Sequence, residues 1–269
     1  RFSPEEQAEH FALSPEERAT LERLHSARSQ VFFILQLGYF KVRRLFFTFG
    51  MDEVREDVCF IQACYFPGHP PIGWVVSKAT RLKHQQLILS LFNYRHCHAE
   101  ERQALSLKAR QAATVSSRPI SICRELIRHL QQQRIVLPGY RFLQETLSQV
   151  LADEQSRLAQ IVREHLGEPD IEALKQLLAN TQGLYEITQL KQEPRNFKEG
   201  EIKCELRRGQ QLEPIYRLAQ GLLPRLGISR ESVKYYASRV SYYSVYKLNR
   251  MDAWQVYLYL LCFALHRAQ

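Results

Sequence analysis

Apolar residues recur at helical spacing along almost the whole of this 269-residue chain, and no stretch alternates apolar and polar residues as a half-buried strand does. Glycine and proline, which interrupt helices, number 11 each. Together they make up about 8% of the chain, against a usual combined share of roughly 12%. The sequence therefore predicts an all-α protein of helical bundle modules with short joints.

Start signals place the first helices. Ser14 precedes Pro15 and two glutamates, a capping pattern that predicts a helix to about Ser26. Residues 29–46 are apolar on nearly all sides, which indicates a buried central helix. Asp52 is predicted to cap a third helix ending near Tyr65, because three prolines and two glycines follow between 66 and 73.

The positive charge is concentrated in one stretch. The chain has 37 Lys and Arg against 28 Asp and Glu, a net charge of +9, and residues 78–141 contain twelve of those bases and three of the acids. That stretch therefore carries +9, and the remainder is balanced at 25 bases and 25 acids. A solvated basic face is one explanation, but the concentration favours a polyanionic partner.

A helix that restarts at Ser77 carries the first candidate DNA contacts. At helical spacing, its first two turns are predicted to have two sides. The basic and hydrogen-bonding side consists of Thr80, Arg81, Lys83 and His84, and the opposite side consists of Ala79, Leu82 and Gln86. A helix-turn-helix with a basic second helix is the arrangement of a major-groove reader, with Lys78 expected at a phosphate. A buried core histidine is the other explanation of His84.

A second unit repeats this pattern. A helix from Arg118 to about Arg134 has an apolar face formed by Ile122, Cys123, Leu126, Ile127 and Leu130. A turn at 137–140 then leads to a long helix that ends near His165. We therefore predict a second helix-turn-helix-like DNA-binding unit, whose contacts are Arg118, Arg124, Arg128 and Arg141.

Beyond Pro169 the charge is balanced and tyrosine becomes frequent. A short helix is predicted from Asp170 to Gln182, and the segment 193–196 leads into further helical sequence. Breaks are expected there at Gly209, Pro214, Gly221 and Pro224. Eight of the 13 tyrosines follow residue 210, which is typical of a core or an interface, so self-association through these helices is expected.

These patterns divide the chain into three predicted domains. A first helical DNA-binding domain covers 1–112 and a second covers 113–190. A further helical region over 191–269 is the start of a dimerisation or scaffold domain.

Signatures of catalysis are missing from the sequence. It has no Gly-rich phosphate loop, no GxSxG, no HExxH and only five aspartates, whereas two-metal phosphoryl transfer needs clustered carboxylates. The six cysteines are scattered without a CxxC pair. We expect a chain that is not an enzyme and has no catalytic residue, metal or cofactor.

The longest apolar run, Ala253 to Ala264, is interrupted by Gln255 and is shorter than the ~20 residues of a membrane span. The chain begins Arg1-Phe2-Ser3-Pro4, without an initiator Met or a basic-then-apolar leader. We therefore expect no membrane partner, a cytoplasmic location and a piece of a larger protein.

Four further segments stand out as motifs. They are Leu13–Arg18 with Leu35–Tyr39, Thr80–His84, Arg134–Gly139, and Arg250 with the apolar helix after it. Together they resemble the N-terminal region of the large replicative, cointegrate-forming transposases of the Tn-three family. The T-R-x-[RK]-H run and the R-I-V-L-P-G turn are the most specific, whereas Phe32-Phe33 replaces the Gly-Phe that commonly precedes Leu-Gln-Leu in that family.

This resemblance implies a set of helical domains that bind the terminal inverted repeats of a transposon, in the bacterial cytoplasm and associated with the nucleoid. A later domain of the family cuts and joins DNA with a DDE carboxylate set and Mg²⁺. The residues that match the two motifs are Thr80, Arg81, Lys83 and His84 in the first and Arg134 in the second. The resemblance thus implies that this chain binds double-stranded DNA and does not cut it.

Two other functions stay open at this point. A helical protein-interaction scaffold would carry the same basic stretch as a solvated face. An RNA-binding domain is disfavoured, because single-strand readers expose aromatic rings and the stretch 78–141 has only Phe92, Tyr94 and Tyr140. Arg43 and Arg44 either complement the end of the central helix or hold a phosphate.

Overall fold

The computed structural model describes residues 2–50, 52–181, 184–196 and 198–268. These ranges consist mostly of helices joined by short connections, so the predicted all-α fold is confirmed. Backbone packing divides them into two compact units. Unit 1 comprises the residues up to Arg102 together with Ile127–Gly139, and unit 2 comprises Gln103–Leu126 and the residues from Tyr140 onward. The predicted domains, which were defined by function, stay a prediction.

Unit 1 contains five complete helices, which are α1 Pro4–His10, α2 Pro15–Glu22, α3 Ala27–Arg43, α4 Arg55–Tyr65 and α5 Lys78–Phe92. Two more helices belong partly to each unit along the chain, namely α6 Ala99–Val115 and α7 Pro119–Gln132. Helix α3 is buried along most of its length, as its apolar sequence predicts. Ser14 caps α2 with Glu17 in a capping box, but α2 ends at Glu22 because Ser26 caps α3 instead.

The predicted cap of α4 at Asp52 is wrong by two residues. The Glu53 carboxylate accepts a hydrogen bond from the Gly50 N–H at 2.9 Å and holds a turn there. Val54 is the residue before the helix, and its side chain is buried without capping the helix. Burial of Val54 therefore sets where α4 begins.

Asp57 of α4 is a fully buried carboxylate that joins three segments of unit 1. It accepts hydrogen bonds from the Gln7 amide at 2.8 Å, the Phe2 N–H at 3.3 Å and the Tyr39 hydroxyl at 2.8 Å. Burial and this bond to Asp57 raise the pKa of Tyr39, which keeps its proton for the carboxylate. The N-terminal segment is thus fastened to α3 and α4 by one side chain.

Unit 2 is built around a buried helix near the end of the chain. Its elements are α8 Tyr140–His165, α9 Glu168–Leu177, β1 Asn180–Thr181, β2 Leu184–Tyr185, α10 Glu186–Leu190, α11 Glu199–Leu226, α12 Arg230–Tyr242, α13 Val245–Leu248 and α14 Ala253–Arg267. Helix α14 is buried from Val256 to Leu265 and packs against α8, α11 and α12. The longest apolar run of the sequence is therefore the centre of this unit.

A short antiparallel hairpin follows α9, in which Asn180 pairs with Tyr185. The helix predicted to reach Gln182 ends at Leu177. Gln182 lies outside the described residues.

The breaks predicted at two glycines and two prolines are wrong, because α11 runs through all of them as one helix of 28 residues. Pro214 and Pro224 are both exposed, so water can reach the carbonyls that their missing N–H groups leave unpaired. The opposite side of α11 buries a regular apolar stripe of Leu212, Ile215, Ala219, Leu222 and Leu226. Burial of this stripe outweighs the cost of the prolines.

No helix within the described ranges is long and apolar enough to cross a membrane.

Candidate nucleic-acid interface

The start of α5 is fixed by its cap and by the loop before it. The Ser77 hydroxyl accepts a hydrogen bond from the Thr80 N–H at 3.1 Å, so the helix begins where the sequence predicts. In the loop before α5, the Ile72 carbonyl accepts from the side chain of Gln62 in α4 at 2.6 Å, and the Ile72 N–H donates to the same side chain at 3.3 Å. These bonds tie the loop to α4.

Two of the predicted bases on α5 face the solvent. Lys78 and Lys83 are exposed, and no carboxylate of the described residues lies within ion-pair distance of either. Thr80 and Arg81 are half-buried. Positive charge that no acid neutralises is what a phosphate contact requires.

The structure reverses most of the predicted sides of α5, although Lys83 is exposed as predicted. Leu82, which was placed opposite the basic side, is 48% exposed, and Ala79 and Gln86 are exposed beside it. The buried side instead follows His84 and Ile88. The solvent-facing side of the first turns therefore combines two lysines with Ala79, Leu82 and Gln86.

His84 is a core residue, and its predicted position beside Arg81 and Lys83 on the outer side is wrong. Its side chain is fully buried, and its Nε2 is hydrogen-bonded to the Ser29 hydroxyl at 2.8 Å. The rings of Phe32 and Phe33 lie 5.8 and 5.6 Å from the imidazole. Packing against α3 therefore accounts for His84 without a DNA contact.

This burial predicts a pH-dependent stability of unit 1. Burial, assisted by the charge of Lys83, lowers the pKa of His84 from 6.5 to about 4. Between these values the unfolded chain binds a proton that the folded chain does not, so stability should fall as the pH falls from 6.5 to about 4. Urea unfolding followed by the fluorescence of Trp74, in a Trp254→Phe background, would measure unit 1 alone.

The control for this prediction is His84→Gln, which keeps a hydrogen-bonding group and does not titrate. It should lose less stability than the parent over the same pH range. Equal losses in the two proteins would assign the pH dependence to other groups.

Helix α7 separates its two faces as the sequence predicts. Ile122, Leu126 and Leu130 are fully buried, and Arg124 and Arg128 are exposed on the opposite face. Its basic outer face is therefore presented to solvent by burial of the apolar face.

Two other bases of the predicted second DNA-binding unit have carboxylate partners. Arg118 lies 3.2 Å from Glu231, and Arg141 lies 2.7 Å from Glu145 one turn further along α8. Both arginines are exposed, so these surface pairs are weak and can exchange for a phosphate.

The R-I-V-L-P-G motif is an extended segment of unit 1. Arg134, two residues after the end of α7, has a φ of 50°, and its carbonyl accepts from the Arg95 N–H at 2.9 Å. The Val136 N–H donates to the Arg95 carbonyl at 2.9 Å, and the Leu137 N–H donates to the Arg44 carbonyl at 3.2 Å. The motif is thus bonded through its backbone to Arg95 and Arg44, while the Arg134 side chain is exposed.

Arg44 is explained by neighbouring aromatic rings. Its guanidinium lies 5.3–5.7 Å from the ring centroids of Phe40, Phe92 and Tyr94. Such cation–π contacts hold the charge at the end of α3, and one guanidinium nitrogen of Arg44 is buried without a hydrogen-bond partner among the described residues. Arg43, in contrast, is exposed.

Among the residues that the structure describes, no three histidine, cysteine or acidic side chains come together in a way that could hold a metal ion. Comparison with known protein families gives a match over the first half of the chain. The family described as Domain of unknown function (DUF4158) matches residues 1–150, more than half of the chain. No curated protein matches the chain.

Proposed function

We propose, from the premise that this chain belongs to the DUF4158 family, that it binds double-stranded DNA at the terminal inverted repeats of a transposon. The chain would be the N-terminal DNA-binding part of a DDE transposase in the bacterial cytoplasm, with cutting and joining left to a later domain. The motifs that resemble Tn-three transposases support this assignment.

The observation that carries the proposal is the exposure of the predicted basic residues. Seven of the ten predicted contacts are exposed bases, namely Lys78, Lys83, Arg118, Arg124, Arg128, Arg134 and Arg141. They all lie in the stretch that carries the net charge of +9. Exposed bases concentrated in one stretch of the chain are typical of a protein that binds a nucleic acid.

The exposed side of α5 supplies groups that can read bases. Lysine bonds to guanine and glutamine bonds to adenine in the major groove, and an apolar side chain contacts the thymine methyl. We therefore assign base contacts to Lys83, Gln86 and Leu82, and phosphate contact to Lys78. His84 supports this surface from the core.

The assignment predicts different losses for neighbouring residues. The preferred site would first be selected from a random duplex pool with the full chain. Lys83→Ala or Gln86→Ala should then weaken binding to that site by about 1–3 kcal/mol and relax its specificity, since each would remove a base contact. Lys78→Ala should weaken binding to all duplexes alike.

The matched control is Ser90→Ala, an exposed residue near the other end of α5. It should bind the selected and scrambled duplexes as the parent does. If Lys83→Ala and Gln86→Ala reduce binding to both duplexes by the same factor, α5 contacts the backbone alone.

A protein-interaction scaffold is the second candidate. It is favoured by a groove of about 720 Å³ in unit 2, whose lining includes the exposed apolar residues Ile202 and Leu206. Failure to enrich any duplex from the random pool would favour this function.

A further inference from the structure

Tyrosines and cations alternate from the second half of α12 to just beyond α13, and their side chains are half-buried or exposed. This surface, named here the tyrosine–cation face, consists of Tyr235, Arg239, Tyr242, Tyr243, Tyr246, Lys247 and Arg250. It lies within unit 2 and outside the residues that match the DUF4158 family. The duplex-binding residues proposed above do not include any of its members.

One row of the face is a stack of rings and cations. The Arg239 guanidinium lies 4.8 Å from the Tyr235 ring centroid and 5.8 Å from that of Tyr243, and it donates hydrogen bonds to both hydroxyls. The Lys247 ammonium lies 3.7 Å from the Tyr243 ring centroid. These contacts fix the positions of the two cations.

A second row leaves its rings open to solvent. Arg250 lies 5.4 Å from the Tyr246 ring centroid and donates to its hydroxyl at 3.0 Å. Tyr246 of α13 is 69% exposed, and Tyr242 at the end of α12 is 84% exposed. Large aromatic surface in water is costly unless a partner covers it.

The charge of the face is not neutralised. Residues 228–250 contain five bases and one acid, and that acid, Glu231, is paired with Arg118. In the described part of the chain, no carboxylate lies within ion-pair distance of Arg239, Lys247 or Arg250. Aromatic rings hold these cations in place without cancelling their charge, so the face attracts an anion.

We propose that the tyrosine–cation face binds single-stranded DNA, with phosphates at Lys247 and Arg250 and bases stacked on Tyr242 and Tyr246. Cations that follow the backbone and aromatic platforms for the bases are the two requirements for binding a single strand. A duplex hides its base faces and would leave both tyrosines uncovered. A second copy of the chain would bring two positive faces together, which disfavours self-association here.

The test is fluorescence anisotropy of the full chain with a labelled 12-nucleotide oligo(dT). Tyr242→Ala with Tyr246→Ala should weaken binding at least about 25-fold, since each of the two stacked bases contributes about 5- to 150-fold to binding. The matched control is Tyr140→Ala, which removes another exposed tyrosine of unit 2 and should leave the affinity unchanged.

Salt dependence tests the two cations separately. Lys247→Gln with Arg250→Gln should reduce the slope of log affinity against log salt by about 1.4, because each single-strand phosphate contributes about 0.7. Arg217→Gln, which removes an exposed arginine paired with Glu213, should leave the slope unchanged.

Several results would overturn the proposal. The first is unchanged oligo(dT) binding by the double tyrosine variant. The second is tighter binding of a 12-base-pair duplex or of oligo(U) than of oligo(dT) at this face. A dimer that dissociates in the tyrosine variant, without any oligo(dT) binding, would make the face a contact between copies.

This site is separable from duplex binding by α5 and α7. Lys78→Ala with Lys83→Ala should leave oligo(dT) binding unchanged, whereas the double tyrosine variant should leave duplex binding unchanged. If the full chain binds no duplex but Tyr242 and Tyr246 still determine its affinity for oligo(dT), the duplex proposal fails and the single-strand proposal holds.

Discussion

Raising the salt concentration from 50 to 200 mM should weaken duplex binding by about 10³–10⁴ fold. Each phosphate neutralised contributes about 0.9 to the slope of log affinity against log salt, so six contacts give a slope near −5. Six is the number of exposed bases among the predicted contacts when Lys83, which is assigned to a base, is left out. Anisotropy or gel-shift titration of the selected duplex at four or five salt concentrations would measure the slope.

Charge-removing variants give this prediction its control. Arg124→Gln with Arg128→Gln should lower the slope by about 1.8 if both arginines contact phosphates. Arg217→Gln of unit 2 should not change it. A flat salt response in the parent protein would reject the nucleic-acid function and favour the scaffold.

Replacing Asp57 by alanine should lower the free energy of unfolding of unit 1 by about 2–4 kcal/mol. The change leaves the Gln7 amide, the Tyr39 hydroxyl and the Phe2 N–H buried without their acceptor. Relief of the buried carboxylate offsets only part of this loss. Urea unfolding followed by Trp74 fluorescence, with Trp254→Phe as background, measures the effect.

Asp52→Ala is the control for this variant, because Asp52 is an exposed aspartate of the same unit. It should change the free energy of unfolding by less than about 0.5 kcal/mol. A shift for Asp57→Ala no larger than that of Asp52→Ala would show that the three donors find water instead.

Helical periodicity and capping residues predicted most of the fold. Ser14, Ser77 and the apolar faces of α3 and α7 act locally, so their effects can be read from neighbouring residues. The extent of α11 could not be read in this way. Its prolines oppose a helix locally, and the apolar stripe that compensates gains its energy only from packing against other helices.

The sequence predicted the exposed bases of α7, but it did not predict which residues of α5 face the solvent. The basic residues of α7 face outward because its buried stripe is purely apolar. On α5 the polarity of each residue was misleading: His84 is buried because Ser29 satisfies one ring nitrogen and phenylalanines surround it. The tyrosine–cation face was not predicted, although each of its ring–cation contacts joins residues four apart in sequence, so this spacing was a signal that counting tyrosines missed.

The return of residues 127–139 to unit 1 constrains how the chain folds during translation. Val136 belongs to the unit 1 core, and the Arg95 backbone pairs with the segment 134–136. Unit 1 therefore cannot be completed when residue 102 leaves the ribosome; it waits for nearly forty more residues, including α6. A fragment cut at residue 112 would lack this segment and would leave an unfilled space in the core, together with three backbone groups, two of Arg95 and one of Arg44, without their partners.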